Sequence, residues 1–236
     1  MIRFLGIGSA FNTQLGNNSG FVKNGASMIL IDCGGTVFER LRKFKVLERL
    51  KKVYIIVTHT HPDHIGSLGD LIFYCHYKLK IKPTIYFPEN TLMQNLFSVI
   101  GVKEDMYTLI KSMKNNLNDD DLGEIVIEFV QSSHTKSIPA FGFFLTIDKK
   151  SVYYSGDGNR IPKTIIELLK KGEIESIYQD TTSIDYVDTG HLSFTKLCEI
   201  IDESLRNKVY CMHLDENIEK KNIIDAGFKI APLMEE

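Results

Sequence analysis

A short segment crowded with histidines, THTHPDH at residues 58–64, separates a strand-like run from a helix-like run. The run before it, VYIIV, is β-branched and aromatic, and the run after it, IGSLGDLIFYCHY, has apolar residues three and four positions apart. Imidazole and carboxylate groups this close together repel one another, or are buried unpaired, unless a cation compensates them. A turn after a strand can aim His59 and His61 at one point, while Asp63 and His64 reach a second point beside it. The segment therefore predicts a two-metal site on a strand-to-helix connection.

The rest of the chain alternates strand-like and helix-like runs. Strands are predicted where β-branched and aromatic residues cluster between turn signals, as in IRFLGIG, EIVIEFVQ, SIYQD and KVYCMH. Helices are predicted at residues 36–47, 65–78, 91–99, 104–114, 161–171 and 193–206 from their apolar spacing. The polar turn 148–150 in FFLTIDKKSVYY predicts a hairpin, which a purely parallel doubly wound sheet does not contain. We expect a mixed α/β chain, a two-sheet sandwich flanked by helices, that forms a single domain over residues 1–236 without an internal repeat.

Composition excludes several classes of protein. Lys and Arg total 28 against 30 for Asp and Glu in 236 residues, a net charge of −2, so stable nucleic-acid binding is not expected. The four cysteines are widely separated and form neither a disulfide framework nor a thiolate zinc site, which favours the cytoplasm. No apolar stretch approaches the ~18 residues of a membrane span, and no membrane association is expected. The acidic run Asp119–Asp121 is interpreted as a solvated connection.

The histidine segment resembles the HxHxDH signature of the metallo-β-lactamase superfamily. That resemblance implies a four-layer αββα sandwich in which three further ligands follow in order, and the chain has His134 in VQSSHTK, Asp157 in YYSGDG and His213 in VYCMHLDE. By similarity, one metal would be held by His59, His61 and His134, the other by Asp63, His64 and His213, with Asp157 bridging them. Two zinc ions are expected, with manganese as the alternative.

The resemblance also assigns supporting roles. Asp32 in LIDCGG resembles the aspartate that braces the histidine segment from behind. His76 matches no ligand position. A layout of two metals roughly 3.5 to 4 Å apart suits hydrolysis, because it can ionise a water molecule and neutralise charge on the substrate. The absence of a cysteine ligand favours phosphodiesters over the substrates of lactamases.

Four short segments indicate which branch of the superfamily the chain resembles. FLGIGSAFNT, DCGGT, QDTTS and TGHLSF resemble ribonuclease Z-like enzymes, in which an acidic residue and a histidine act as a proton relay. On that match Asp180 and His191 form the relay and, with Asp63, are the expected catalytic residues. The family usually has Glu where this chain has Asp180.

One departure from ribonuclease Z concerns the substrate. The segment from His134 to Asp157 has room only for two strands and a turn, so the long arm that grips tRNA is missing. Without the arm, the chain resembles the anti-Pycsar phosphodiesterases of viruses and bacteria, which destroy cyclic nucleotide signals. The resemblance implies hydrolysis of 3′,5′-cyclic mononucleotides in the cytoplasm of a bacterium, or of the host cell if the protein is phage-encoded. The alternatives are a ribonuclease Z-type endoribonuclease or another small-phosphodiester hydrolase, then a glyoxalase-type thioesterase, then a non-catalytic binding protein.

Substrate contacts and assembly complete the expectations. Asn18 and Ser19, in an Asn-rich hairpin, and Phe141, after the third histidine, are candidate substrate-binding residues. Ribonuclease Z-like proteins commonly pair through the helix after the motif, so a homodimer is expected. Its apolar surface would come from Ile65, Leu68, Leu71, Ile72 and Tyr74, which could equally face the chain's own core.

Overall fold

Two β-sheets form the centre of the fold. The computed structural model describes residues 1–89, 91–185 and 190–234. The first sheet follows chain order through β1 (Arg3–Gly6), β2 (Ser19–Asn24), β3 (Ser27–Ile31), β4 (Lys52–Ile56), β5 (Thr84–Tyr86) and β6 (Thr108–Ile110). The second sheet runs in reverse order from β13 (Lys229–Ile230) through β12 (Val209–Met212), β11 (Ser176–Asp180), β10 (Lys150–Tyr154), β9 (Phe141–Ile147) and β8 (Gly123–Gln131) to β7 (Lys114–Asp119).

Each sheet begins antiparallel and ends parallel. In the first sheet β1, β2 and β3 are antiparallel neighbours and β3 to β6 are parallel. In the second sheet β7 to β10 are antiparallel and β10 to β13 are parallel. The predicted hairpin joins β9 and β10, and both residues at its tip, Asp148 and Lys149, have positive φ, as a two-residue hairpin turn requires.

The helices flank the two sheets, which gives the expected αββα sandwich. They are α1 (Val37–Lys43), α2 (Pro62–Ile65), α3 (Leu68–Tyr74), α4 (Thr91–Val99), α5 (Lys163–Lys171), α6 (Phe194–Ile200), α7 (Glu203–Arg206) and α8 (Lys220–Asp225). The sheets pack face to face through aromatic rings, with Phe4 of the first sheet 5.5 Å from Tyr178 of the second, centroid to centroid. The extent of the domain, residues 1–236, stays a prediction.

One predicted helix is wrong. Residues 104–114 form a single 3₁₀ turn, Glu104–Met106, followed by β6. The apolar residues Met106, Leu109 and Ile110 fit a helical spacing, but the segment instead extends the first sheet, where Leu109 pairs with Ile85 of β5. Tertiary pairing outweighs a short periodic pattern here.

The acidic run also differs from its interpretation as a solvated connection. Asp119 is buried, and its carboxylate accepts hydrogen bonds from the Tyr54 hydroxyl (2.9 Å) and from the Asp121 and Leu122 amides. The Asp121 carboxylate accepts from the Ala26 amide at 2.8 Å. Only Asp120 is fully exposed, so the run connects the end of β7 to the first sheet rather than standing in solvent.

The helix after the histidine segment packs inward. Leu68, Leu71 and Ile72 are completely buried in the chain's own core and Ile65 nearly so, while Tyr74 packs against Phe38. Of the two alternatives for this apolar face, the structure favours the core, so these four aliphatic residues are not available to a partner. The homodimer stays a prediction without that surface. Within the described ranges, no helix is long and apolar enough to cross a membrane.

Candidate metal centre

The predicted ligands meet where strands of both sheets end. His59 and His61 follow β4, and Asp63 and His64 lie in α2, which begins at Pro62, a favourable first helical residue. From the second sheet, His134 follows β8, Asp157 follows β10 and His213 follows β12. These three strands point the same way, so their carboxyl ends share one edge of the sheet. All seven side chains converge there.

Three imidazoles form the first group. His61 Nδ1 lies 3.0 Å from His59 Nε2 and 3.2 Å from His134 Nε2. Burial lowers the pKa of His59 well below its ordinary value and lowers the pKa of His61, and the neighbouring histidines add to both shifts. These two rings are therefore neutral, with nitrogen lone pairs directed at one point, as metal ligation requires.

The second group combines carboxylates with imidazoles. Asp63 Oδ2 lies 3.2 Å from His213 Nε2 and 3.3 Å from His64 Nε2. Asp157 stands between the two groups, because its Oδ1 is 3.3 Å from His64 Nε2 while its Oδ2 is 3.7 Å from both His59 Nε2 and His134 Nε2. This is the position that a bridging ligand needs.

Buried polar atoms show that the cluster suits cations. His64 Nε2 and Asp157 Oδ1 are buried without a hydrogen-bond partner and face each other across the second group. Although burial opposes it, Asp157 and Asp180 raise the pKa of His213 to about 10, which reflects an excess of carboxylate charge that a cation would neutralise. Nitrogen and oxygen donors without a thiolate suit zinc or manganese, so the residues present fit two divalent cations.

The outward nitrogens of the histidines are held by oxygen acceptors. His64 Nδ1 donates to Asp32 at 2.8 Å, His134 Nδ1 to the Gly190 carbonyl at 3.0 Å, and His213 Nδ1 faces Asp180 at 3.3 Å. Such acceptors fix the tautomer and leave the other ring nitrogen for a metal.

Asp32 braces the histidine segment as its sequence context predicts. It follows β3 with a positive φ of 58°, a strained conformation for a non-glycine residue. Its buried carboxylate also accepts from the Thr58 amide (2.8 Å) and the Thr58 hydroxyl (2.7 Å). The strain therefore serves to hold both the start of the segment and His64.

The predicted relay is assembled at the same edge. His191 Nδ1 donates to Asp180 Oδ2 at 2.7 Å, so the aspartate reaches the ring despite being shorter than the usual glutamate. The charge of Asp180 raises the pKa of His191, although burial opposes the shift. The His191 ring lies 5.0 Å from the rings of both His134 and His213, with its side chain 31% exposed. The raised pKa favours the protonated form of His191, and a part-exposed imidazolium beside the cluster can donate a proton to a substrate.

A cavity of about 680 Å³ opens over this centre. It exposes His61, Asp63, His134, Asp157, His191 and His213, together with Ser9, Ala10, Phe11, Asn17, Gly35, Pro62, Thr182, Ile184 and Asp215. Its volume lies in the range of small-molecule sites, roughly 300 to 1,000 Å³.

The predicted substrate contacts do not line this cavity. Asn18 is buried and donates to the Tyr154 hydroxyl at 2.8 Å, and Ser19 donates to the Asp32 carbonyl at 2.9 Å. Phe141 lies in the core between the rings of Phe87 and Phe129. All three serve packing or support the centre from behind, so their contact with the substrate stays a prediction that this geometry does not favour.

Residues that the sequence reasoning missed line the cavity instead. Phe11 and Ile184 line the cavity and expose 83% and 38% of their surface. A large apolar residue inside a polar turn, as in GSAFN, is the signal that could have indicated Phe11. Asp215 gave no such signal, because its bonds to Thr182 and Ser183 join segments far apart in the chain.

The space where a tRNA-gripping arm would be inserted holds the β9–β10 hairpin. Residues 134–157 are all described and contain only these two strands, their tight turn and short connections. The structure therefore has no arm between His134 and Asp157, as the short spacing in the sequence predicts.

Similarity to known proteins agrees with this geometry. A family model described as "Anti-Pycsar protein Apyc1" matches residues 1–231. A protein of that name from Bacillus phage BSP38 is 30% identical over 244 residues, covering 92% of this chain and 90% of the relative. Another from Paenibacillus harenae is 24% identical over 227 residues, covering 93% and 91%.

The fold has solved counterparts as well. The crystal structure of the metallo-beta-lactamase fold protein YhfI from Bacillus subtilis matches with a TM-score of 0.73 and 19% identity, covering 98% of this chain and 93% of that one. The fold is therefore that of the metallo-β-lactamases. Because the family model spans nearly the whole sequence, this chain belongs to the anti-Pycsar protein Apyc1 family.

Proposed function

We propose that this protein is a dinuclear metal-dependent phosphodiesterase that hydrolyses 3′,5′-cyclic mononucleotides to nucleoside monophosphates. Cyclic CMP and cyclic UMP are the foremost substrates of the proposal, and cyclic AMP and cyclic GMP the next. The observation that carries it is the convergence of three histidines with a second group of carboxylates and histidines at one side of a cavity of small-molecule size. Asp157 of the second group lies 3.7 Å from His59 and His134 of the first. The relatives are named anti-Pycsar proteins, and this name supports the choice of a cyclic nucleotide as the substrate.

In the proposed site the two cations are zinc, with manganese as the alternative. His59, His61 and His134 would hold one, Asp63, His64 and His213 the other, and Asp157 both. When bound, they would supply Lewis acidity that ionises a water molecule near neutral pH and neutralises charge on the phosphoryl oxygens.

The chain's own groups do the rest of the proposed chemistry. As water oxygen bonds to phosphorus and the phosphorus–ribose oxygen bond breaks, His191 donates its Nε2 proton to the departing oxygen. Asp180 accepts from Nδ1 of that ring, which makes Nε2 the nitrogen that would carry the donated proton. Asp32 keeps Thr58 and His64 in place.

Two rival functions are less well supported. Processing of tRNA precursors would need a gripping surface. Residues 134–157 form only the β9–β10 hairpin and short connections in place of an arm, and a net charge of −2 does not favour binding to a polyanion. A binding protein without catalysis would be expected to have lost metal-ligating residues, whereas all seven side chains are present and converge.

A cytoplasmic location in a bacterial cell and a homodimer are parts of the same proposal.

The deciding experiment is a hydrolysis assay of the metal-loaded protein against a panel. The panel holds the 3′,5′-cyclic mononucleotides of all four bases, bis(p-nitrophenyl) phosphate, a tRNA precursor and a thioester. We expect turnover of the cyclic mononucleotides while the tRNA precursor stays intact. Cleavage of the tRNA at its 3′ end, or silence on every phosphodiester, would contradict the proposal, and sedimentation of the same preparation tests the dimer.

A further inference from the structure

The Phe11 ring is unusually placed for a phenylalanine. It exposes 83% of its surface, although this residue type ordinarily lies inside a protein. With Ala10 it forms the tip of a turn over Ser9–Asn12, closed by a 3.2 Å hydrogen bond from the Asn12 amide to the Ser9 carbonyl. A polar residue would serve the tip of such a turn equally well, so the turn itself does not account for the ring.

The turn is fastened to the segment that carries the last predicted ligand. The buried Asn12 side chain donates to the carbonyls of Leu214 (3.0 Å) and Asp215 (3.1 Å), directly after His213. The Ser9 amide donates to the same Leu214 carbonyl at 3.0 Å. These bonds set the turn, and with it Phe11, at a fixed place beside the metal centre.

Phe11 lines the same cavity as the His and Asp cluster. Ala10 and Ile184, two other residues of the lining, are also apolar, whereas the lining at the cluster is polar and titratable. A ligand that places a phosphate at the cluster therefore has apolar side chains available for its remaining part. The flat, apolar portion of a nucleotide is its base.

We propose that Phe11 binds the nucleobase of the substrate by stacking on its face, an inference that rests on the proposed function. A phenyl ring offers a π face and no hydrogen-bonding group, so it contributes affinity to pyrimidines and purines alike. Phe11 thus increases the affinity for any nucleobase, and discrimination between bases depends on other residues.

The test compares Phe11→Ala with Phe11→Tyr on three substrates. These are cyclic UMP, cyclic AMP and methyl ribofuranoside 3′,5′-cyclic phosphate, which lacks a base. For Phe11→Ala we expect KM for both nucleotides to rise roughly tenfold, because stacking is lost, with kcat within about twofold. KM for the base-free substrate should not change, and Phe11→Tyr should stay within about twofold of the natural chain.

A matched control removes a different exposed apolar side chain. Val99 at the end of α4 is 86% exposed and does not line the cavity, so Val99→Ala should leave all three KM values unchanged. Calorimetric binding of cyclic UMP gives a second readout when each change is made in a His191→Ala background, where slow hydrolysis leaves the binding heat measurable, and Phe11→Ala should weaken binding there by a similar factor.

The possible failures are distinguishable. If the natural chain cleaves cyclic nucleotides but Phe11→Ala leaves KM and binding unchanged, the stacking role is wrong and the proposed function stands. A loss of kcat, or an equal rise of KM for the base-free substrate, also overturns stacking, because the ring would then act on the phosphate or on the fold. If the natural chain neither cleaves nor binds any cyclic nucleotide, both the function and the inference fall.

Discussion

The Asp180 carboxylate contacts three groups: the proposed proton donor, a main-chain amide and a proposed metal ligand. Its carboxylate accepts from His191 Nδ1 at 2.7 Å and from the Gly158 amide at 3.0 Å, and it lies 3.3 Å from His213 Nδ1. One carboxylate thus orients both the proposed proton donor and a proposed metal ligand. Its replacement would disturb both, so the role of the relay is better tested at His191.

Replacing His191 with alanine should lower kcat on a cyclic mononucleotide by about 10² to 10⁴, the usual contribution of a general acid. The loss should be much smaller on bis(p-nitrophenyl) phosphate, whose nitrophenolate departs without needing a proton. Metal content, measured by plasma emission, should not change. A loss below tenfold on the cyclic substrate, or equal losses on both substrates, would argue against proton donation.

Removing a predicted ligand should have a different signature. His61→Ala or Asp63→Ala should abolish turnover and lower the number of bound metal ions per chain, because each side chain belongs to one of the two groups. His76→Ala is the matched control, since this histidine lies at residues 75–79 against Tyr77, outside either group. It should retain full metal content and activity, and near-normal turnover in either ligand variant would refute the site.

Among the elements, the turn between β7 and β8 shows how a short polar run joins two sheets. Tyr54, whose hydroxyl bonds to Asp119, lies on β4 of the first sheet, and Ala26, whose amide bonds to Asp121, precedes β3. Burial would raise the pKa of Asp119, but the Asp121 and Leu122 amides and the Tyr54 hydroxyl lower it to about 2. The ionised form therefore stabilises the folded protein.

Asp119→Asn should accordingly reduce the free energy of unfolding at pH 7 by about 1 to 2 kcal/mol. Because the folded pKa is lower than the unfolded one, this contribution is present above pH ~4 and is lost as the pH falls through about 2. Urea unfolding of both chains between pH 7 and pH 2 measures the difference. The control is Asp120→Asn, at a side chain 94% exposed, which should change the free energy of unfolding by less than about 0.5 kcal/mol at any pH. If both changes had an equal effect, the hydrogen bonds of Asp119 would not be what joins the two sheets.

The same elements show where sequence reasoning succeeds and fails. The strand and helix around residues 58–64 were predictable because local patterning and ligand spacing agree there. Residues 104–114 were not, because three apolar residues cannot reveal that β5 lies beside them. For the same reason the sequence did not reveal that Phe141 is buried while Phe11 is exposed at the cavity, because burial depends on the packing of distant strands.

Across the whole molecule, the proposed metals would bridge the two sheets. His59 and Asp63 come after β4 of the first sheet, and His134, Asp157 and His213 each follow a strand of the second. Ligands so far apart in sequence come together only in the folded chain, so bound metal stabilises the folded state by mass action.

Chelation should therefore lower the midpoint of thermal unfolding. At metal concentrations about 100-fold above the dissociation constant the loss is about 2.7 kcal/mol, or roughly 5 to 10 °C for a chain of this size. Scanning calorimetry before and after exhaustive dialysis against a chelator measures the shift, and restoring zinc or manganese should reverse it. An unchanged midpoint in a preparation free of metal would count against a site that joins the sheets.

The cavity draws its two kinds of lining from different parts of the backbone. The residues proposed to hold the metals come shortly after strands inside the sheets or lie in α2, whereas Phe11 and Ile184 lie in longer connections. The turn that carries Phe11 is held chiefly by the Asn12 side chain and a few main-chain bonds. Connections tolerate replacement far better than strands do. Members of the family can therefore change the substrate they bind while they keep the residues proposed to hold the metals. We expect sequence divergence in this family to concentrate in those two connections.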